Sequence, residues 1–215
     1  MVGSQALMDE ICDERRFSKI PAAALRQARN GVHDGLGTAY GPQEKNWGIA
    51  HRVLAPKLNP LAIRNMFDGM HDVASQLVTK WARHGPDHVI EVNEDLTRLT
   101  FDALALCTMN YRFNSYYSQS MHPFLKAMTE FLATSGDRAR RVWFAQIFCV
   151  LENRRYWRNI DLLRKTSLDV VQTRKENPTD KNDLLSGMLD GVDPKTGEKM
   201  SVGVTCYSSH SPQTH

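Results

Sequence analysis

Residues 44–56, EKNWGIAHRVLAP, decide how the rest of the chain is read. Trp47, Ala50, His51 and Leu54 recur at steps of three, one and three, the spacing of one helical face. Pro56 predicts the stop, because a proline disfavours helical geometry in the residue before it. Trp47 and His51 stand four apart, so they are neighbours on one face, about 6 Å apart along the axis. An indole offers one N–H donor, and an imidazole offers one when neutral and two when charged. Two donors aimed the same way from an apolar face suit an anionic acceptor lodged against the helix. The alternative is a pair of ordinary core rings satisfied by nearby carbonyls, since intermediate burial is common for both residue types.

The flanking chain is helical in pattern. Ser4 is placed to cap a short helix with Leu7, Met8 and Ile11 on its apolar face. A second helix follows Pro21 and carries Leu25 and Ala28 towards Gly31 and the loop HDGLGT at 33–38. In that loop Gly37 leaves room for close approach by a flat ligand. As a phosphate loop it is weak, lacking the third glycine and the preceding strand. Ile63, Met66, Phe67, Met70, Val73, Ala74, Leu77, Val78 and Trp81 predict one amphipathic helix over 59–84. HVIEV at 88–92 alternates like a short strand. The next helix, 93–109, carries Leu96, Leu99, Ala103, Leu106 and Cys107 on one face. Further helices are expected at 121–136 and 158–177, with a short one between Asp183 and Gly191. Cys107 reads as an inert buried thiol. His84, Asp87 and His88 offer too few ligands to read as a metal site.

The chain has 215 residues, 41% of them apolar, enough for one ordinary globular core. No apolar run approaches the eighteen or so residues of a membrane span, and the N-terminus has no signal-peptide hydrophobic region. Cys12, Cys107, Cys149 and Cys206 form no C-x-x-C pair, which argues against a zinc site and a disulfide framework and favours a reducing compartment. Between 138 and 175 ten basic residues face three acidic ones, against a net charge of +3 for the whole chain. The apolar stretch VWFAQIFCVL at 142–151 lies within that basic segment, too short to span a bilayer but suited to an anionic membrane surface. No nucleic-acid recognition motif accompanies the basic residues, so nucleic acid is not expected as a partner.

The run HDGLGTAYGPQEKNWGIAHRVLAPKLNP at 33–60 resembles the loop before the C helix, and the C helix itself, of the cytochrome P-450 monooxygenases. In order along the chain, CDERRF, HDGLGT, EKNW, DLTRLTFDALALC, NYRFNSYY, HPF, DLL and DPKTGE are similar to the self-sufficient flavocytochrome fatty-acid hydroxylases. In those proteins a heme domain is continuous with a diflavin reductase. The likeness covers about Gln5 to Met200. It implies a mainly α chain holding the B to H helix region of the fold, without most of its β-sheet and without the half from the I helix to the cysteine loop. Residues 1–200 are then a partial heme domain and 201–215 an unrelated tail, expected to lie outside the fold.

By the same resemblance Trp47 and His51 donate hydrogen bonds to a heme propionate, and Leu36 also contacts heme. Leu25, Ala28, Val32 and Gly37 line the substrate pocket. Gly37 departs from bacterial relatives, which often carry a large aromatic there to confine substrate. No catalytic residue and no metal ligand is expected within the chain, since Cys206 lacks the context of the heme-ligand loop. The implied cofactor is heme, with FAD, FMN and NADPH confined to a fused reductase. The implied partners are a fatty acid or similar lipid and that reductase. The resemblance makes 142–151 part of the F–G connection over the substrate channel, which needs no membrane; composition alone suggests peripheral membrane contact there, and the expected location is cytoplasmic or peripheral to a membrane. The function expected is part of a heme-thiolate monooxygenase that hydroxylates lipids using O2 and NADPH-derived electrons. The alternatives are a truncated, catalytically incompetent product or an unrelated helical binding module.

Overall fold

The computed structural model describes residues 3–200 apart from 14, 19, 42–43, 86, 119 and 142–148. Nine helices follow one another among the described residues: α1 (Gln5–Ile11), α2 (Ala23–Val32), α3 (Lys45–Leu54), α4 (Pro60–Asn65), α5 (Phe67–Ala82), α6 (Val92–Met109), α7 (Pro123–Arg140), α8 (Val150–Glu176) and α9 (Leu184–Asp190). Short 3-10 turns cover Ala55–Leu58 and Ser115–Tyr117. No strand ladder forms among the described residues; an isolated antiparallel bridge joins Val192 to Lys199. The chain is mainly helical; of residues 88–92, expected as a short strand, 88–91 form no ladder among the described residues and Val92 already opens α6.

Local chemistry sets the helix ends. The side chains of Ser4, Asn59, His122 and Asp183 each accept an amide N–H in the first turn of α1, α4, α7 and α9. Pro60 and Pro123 occupy first-turn positions where a missing N–H leaves no gap. Asn110 closes α6 in the left-handed conformation, at φ 47°, a region that asparagine tolerates better than most residues. The expected helix over 59–84 is broken at Met66, whose backbone sits at φ −84°, ψ −5°. Apolar spacing runs straight through that break and so could not reveal it.

The best-closed core lies where α2, α7 and α8 meet. Ala28, Phe131, Tyr156 and Ile160 are buried together, with Leu163 packed against them. The Phe131 and Tyr156 rings stack at 5.4 Å, and the Tyr156 hydroxyl donates to Gln27 O at 2.9 Å. Gly31 makes the approach possible, since a Cβ there would lie 2.9 Å from the Phe131 ring. A second cluster buries Ile49, Val53 and Leu54 of α3 beneath Leu184, Met188 and Met200.

On α6 the apolar stripe is only partly covered, and the buried face carries charges. Leu96 is exposed, Leu99, Ala103, Leu106 and Cys107 are half-buried, and Asp95, Arg98 and Asp102 are buried with Phe101 and Ala105. Each buried charge is matched. Arg98 donates to Ser115 O at 2.6 Å, Ser118 O at 2.8 Å and Glu94 Oε1 at 2.6 Å. Asp102 accepts the Ser115 N–H at 2.8 Å and its hydroxyl at 2.7 Å. Asp95 accepts the Trp81 indole N–H at 2.7 Å and pairs with Lys80. Loop 111–118 thus binds the polar face of α6 through groups that periodicity cannot register.

Candidate functional site

Helix α3 places Trp47 and His51 one turn apart, and their rings stack at 4.8 Å with an interplanar angle of 17°. Trp47 is half-buried and His51 exposed. No ring nitrogen of either has a hydrogen-bond partner among the described residues. The reading as core rings satisfied by carbonyls therefore fails, and two free donors project side by side. Nine residues upstream of Trp47, Thr38 is buried and tied back to His33 O by its hydroxyl at 2.6 Å.

The loop before α3 is fastened to it at two points. Arg29 donates to Thr38 O at 2.9 Å and to both Glu44 oxygens at 3.0 and 3.2 Å, while Glu44 also accepts the Tyr40 N–H at 3.1 Å. Asn46 donates to Asp34 at 2.7 Å. Between these ties Leu36 and Gly37 are exposed, and a Cβ at Gly37 would meet nothing within 4 Å. Leu25 and Val32 are also exposed, on one face of α2. Ala28 stands apart from them, 3% exposed and shut into the α2–α7–α8 core, because Phe131 of α7 and Tyr156 and Ile160 of α8 cover its edge of the face. Exposed apolar side chains on α2 are followed in the chain by a clasped loop, which leads into the helix whose two ring donors have no partner among the described residues.

An adjoining stripe of α3 carries groups that sequence reading passed over. Arg52 donates from Nε and Nη2 to Asp193 at 2.6 and 2.7 Å. Asp193 is fully buried, and its bonds from Arg52, against the effect of burial, hold its carboxyl well below the usual carboxylate range. The signal was available: Asp193 opens the DPKTGE turn and Arg52 follows His51.

Other candidates stay outside this site. The His84 and His88 rings stack at 4.2 Å on the surface, and no group of three potential ligands among the described residues could hold a metal ion. Cys107 donates from Sγ to Met66 O at 3.5 Å, and burial pushes its thiol pKa up. Cys206 and residues 142–148 lie outside the described residues.

A sequence model of the cytochrome P-450 family matches residues 2–204. The chain belongs to the cytochrome P-450 family. It is 54% identical over 201 residues to a bifunctional cytochrome P-450/NADPH–P-450 reductase of Aspergillus oryzae, covering 94% of this chain and 18% of that protein. A protein of the same description from Fusarium oxysporum is 50% identical, over 93% of this chain and 19% of its own length. A self-sufficient cytochrome P-450 monooxygenase of Phanerodontia chrysosporium is 47% identical, over 94% of this chain and 19% of its own length. The chain thus spans less than a fifth of these curated relatives. Membership in a P-450 family removes the unrelated binding module from consideration. No helix among the described residues is long and apolar enough to cross a membrane.

Proposed function

We propose that this chain forms one wall of the heme domain of a self-sufficient monooxygenase acting on fatty acids or similar lipids, with a fused diflavin reductase as electron donor. The stacked Trp47–His51 pair, whose ring nitrogens have no partner among the described residues, carries the reading. These donors fit a heme propionate: an anion placed there would complete both hydrogen bonds. Leu36 would lie against the ring edge, and Leu25, Val32 and Gly37 would border the space for substrate, with Ala28 supporting them from behind. Heme bound here would supply oxygen activation, given an axial cysteine thiolate. The protein's own part is to hold the propionate, exclude water with apolar side chains and leave room at Gly37. FAD, FMN and NADPH belong to the reductase.

The 215 residues by themselves are proposed to be catalytically silent. Cys206 lacks the glycine, arginine and phenylalanine context of a heme-ligand loop. Reduced chain exposed to carbon monoxide and heme should give no thiolate-type Soret band; a clear one overturns this part. In a complete heme domain carrying this chain, Trp47→Ala or His51→Ala should each loosen heme by roughly 1.5–3 kcal/mol. Unchanged heme content in the double variant would sink the heme-edge reading. In the same domain Gly37→Phe should shift or narrow the product distribution.

A second reading concerns membrane contact next to 142–148. Val150 and Leu151 are exposed, Leu151 at 84%, and Arg154 and Arg155 stand on the following turn. Apolar side chains beside cations suit an anionic bilayer surface, at about 1 kcal/mol per cation near the headgroups. Co-sedimentation with anionic but not neutral vesicles would support it.

A further inference from the structure

We propose that Arg52 and Asp193 act as a positioning pair that sets how Trp47 and His51 are presented, so that the turn at 191–200 governs the donors of the heme edge. The inference rests on the heme-edge reading above. Asp193 is 0% exposed and accepts Arg52 Nε at 2.6 Å, Arg52 Nη2 at 2.7 Å, the Thr196 hydroxyl at 2.6 Å and the Lys195 N–H at 3.2 Å. The Asp193 N–H donates to Glu198 O at 2.8 Å, and its carbonyl accepts the Gly197 N–H at 2.8 Å. The carboxylate is therefore locked within its own turn. A planar guanidinium that meets both oxygens is fixed in direction as well as distance, which a single lysine nitrogen cannot reproduce.

Arg52 reaches the turn by lying across Gly48, where an added Cβ would stand 3.0 Å from Nη1. The same turn grips α3 above and below. Lys45 pairs with Glu198 at 2.8 Å, Met200 packs on Ile49, Val53 and Leu54, and a Cβ on Gly191 would strike Val53 at 2.3 Å. Residues 45, 48 and 52 form one stripe along α3. The Trp47–His51 stripe lies beside it, displaced by about 100° at each adjoining residue. Any roll of α3 about its axis therefore moves the ring pair by the same angle. The guanidinium–carboxylate fork is the contact with the least freedom to follow such a roll.

The test uses the 215-residue chain with Arg52→Lys, Asp193→Asn and Gly48→Leu. The readouts are the NMR resonances of the Trp47 indole N–H and the His51 ring protons, the thermal midpoint, and the affinity for added ferric protoporphyrin IX. Trp47→Phe assigns the indole signal. All three variants should shift both sets of ring resonances and weaken porphyrin binding tenfold or more. Gly48→Leu should do so although it alters neither charge. Arg52→Lys keeps the charge and is the mildest, so it remains readable if Asp193→Asn fails to fold. A lower thermal midpoint with unmoved ring resonances in Arg52→Lys and Gly48→Leu would overturn the proposal, leaving the pair a structural tie only. Shifted resonances in a chain whose porphyrin affinity is indifferent to Trp47→Ala and His51→Ala would retain the positioning pair and reject the heme-edge reading.

Discussion

The α2–α7–α8 core and the α5–α6 pair treat an apolar helix face in opposite ways. In the first, three helices converge and Phe131, Tyr156 and Ile160 are shut away. In the second, α5 buries Val73 and Leu77 but leaves Phe67 and Val78 exposed at 63% and 62%. On α6, Leu104 is 57% exposed, while Asp95, Arg98 and Asp102 are inside. The two regions show that periodicity names the apolar face without naming its cover. Where a third helix is at hand the face closes; where it is not, the stripe faces solvent and charges are buried instead. An apolar surface of that kind marks a place where more protein or a partner packs.

The sharpest break of this comparison is a pair of truncations in the chain, read by denaturant midpoint. Phe131→Ala should remove about 3–5 kcal/mol from the closed core. Phe67→Ser should change stability by less than about 0.5 kcal/mol, since that ring is mostly exposed. Equal losses at the two sites would mean that the α5 stripe is covered in solution.

Next in size comes the inward charge on α6. Arg98→Met leaves Ser115 O and Ser118 O without their donor and should lower stability by about 2–3 kcal/mol. Exposed Arg154 offers the control, and Arg154→Met should be close to neutral. A neutral Arg98→Met would show that the burial of this charge does not hold loop 111–118.

Two glycines sharpen the contrast at finer scale. Gly31→Ala drives a methyl to within 2.9 Å of the Phe131 ring and should destabilise by about 1–3 kcal/mol. Gly136 of α7 has nothing within 4 Å of the added Cβ, so Gly136→Ala should stabilise by about 0.5–1 kcal/mol through helix propensity. Effects of the same sign would deny that α2 owes its close approach to Gly31.

The smallest effects are those of pH. At Asp95 burial raises the pKa, but bonds from Lys80 and Trp81 outweigh it and leave the carboxyl below its ordinary value. At Asp183 the bonds from Arg174 and Ser186 likewise overcome burial. A lowered folded pKa contributes stability that is complete above the unfolded value, about 3.9, and is lost as pH falls through the folded value. His122 is lowered by burial, with Asp102 opposing, so its contribution is complete above about 6.5 and fades at lower pH. Unfolding curves should therefore show a shallow loss below about pH 6.5 and a steeper one in the carboxylate range. His122→Asn keeps an acceptor for the Phe124 N–H and should erase the shallow step alone. A shallow step that persists in that variant would assign it to another histidine.

The ring pair and the extent of its helix could be read from residues 44–56. The spacing of Trp47 and His51 foretold adjacent rings, and the ring stack follows from a step of four on an α-helix. Pro56 foretold the end of α3 at Leu54, although the chain then winds through a 3-10 turn. Ala28 was grouped with Leu25 and Val32 by the resemblance; its burial depends on α7 and α8, more than a hundred residues away in the case of Tyr156. The helix break at Met66 and the reach of Arg52 to Asp193 were equally invisible to local pattern.

By itself the sequence determined most of the helices, the Ser4 cap and the adjacency of Trp47 and His51, because each is set by spacing or by contacts within a few residues, and an ordered set of motifs gave the family. Tertiary structure alone decided which apolar faces close, why α6 turns charges inward, and which partner holds α3 from behind. Those outcomes depend on pairs such as Arg52–Asp193, 141 positions apart, and on whether a second surface is present to exclude water.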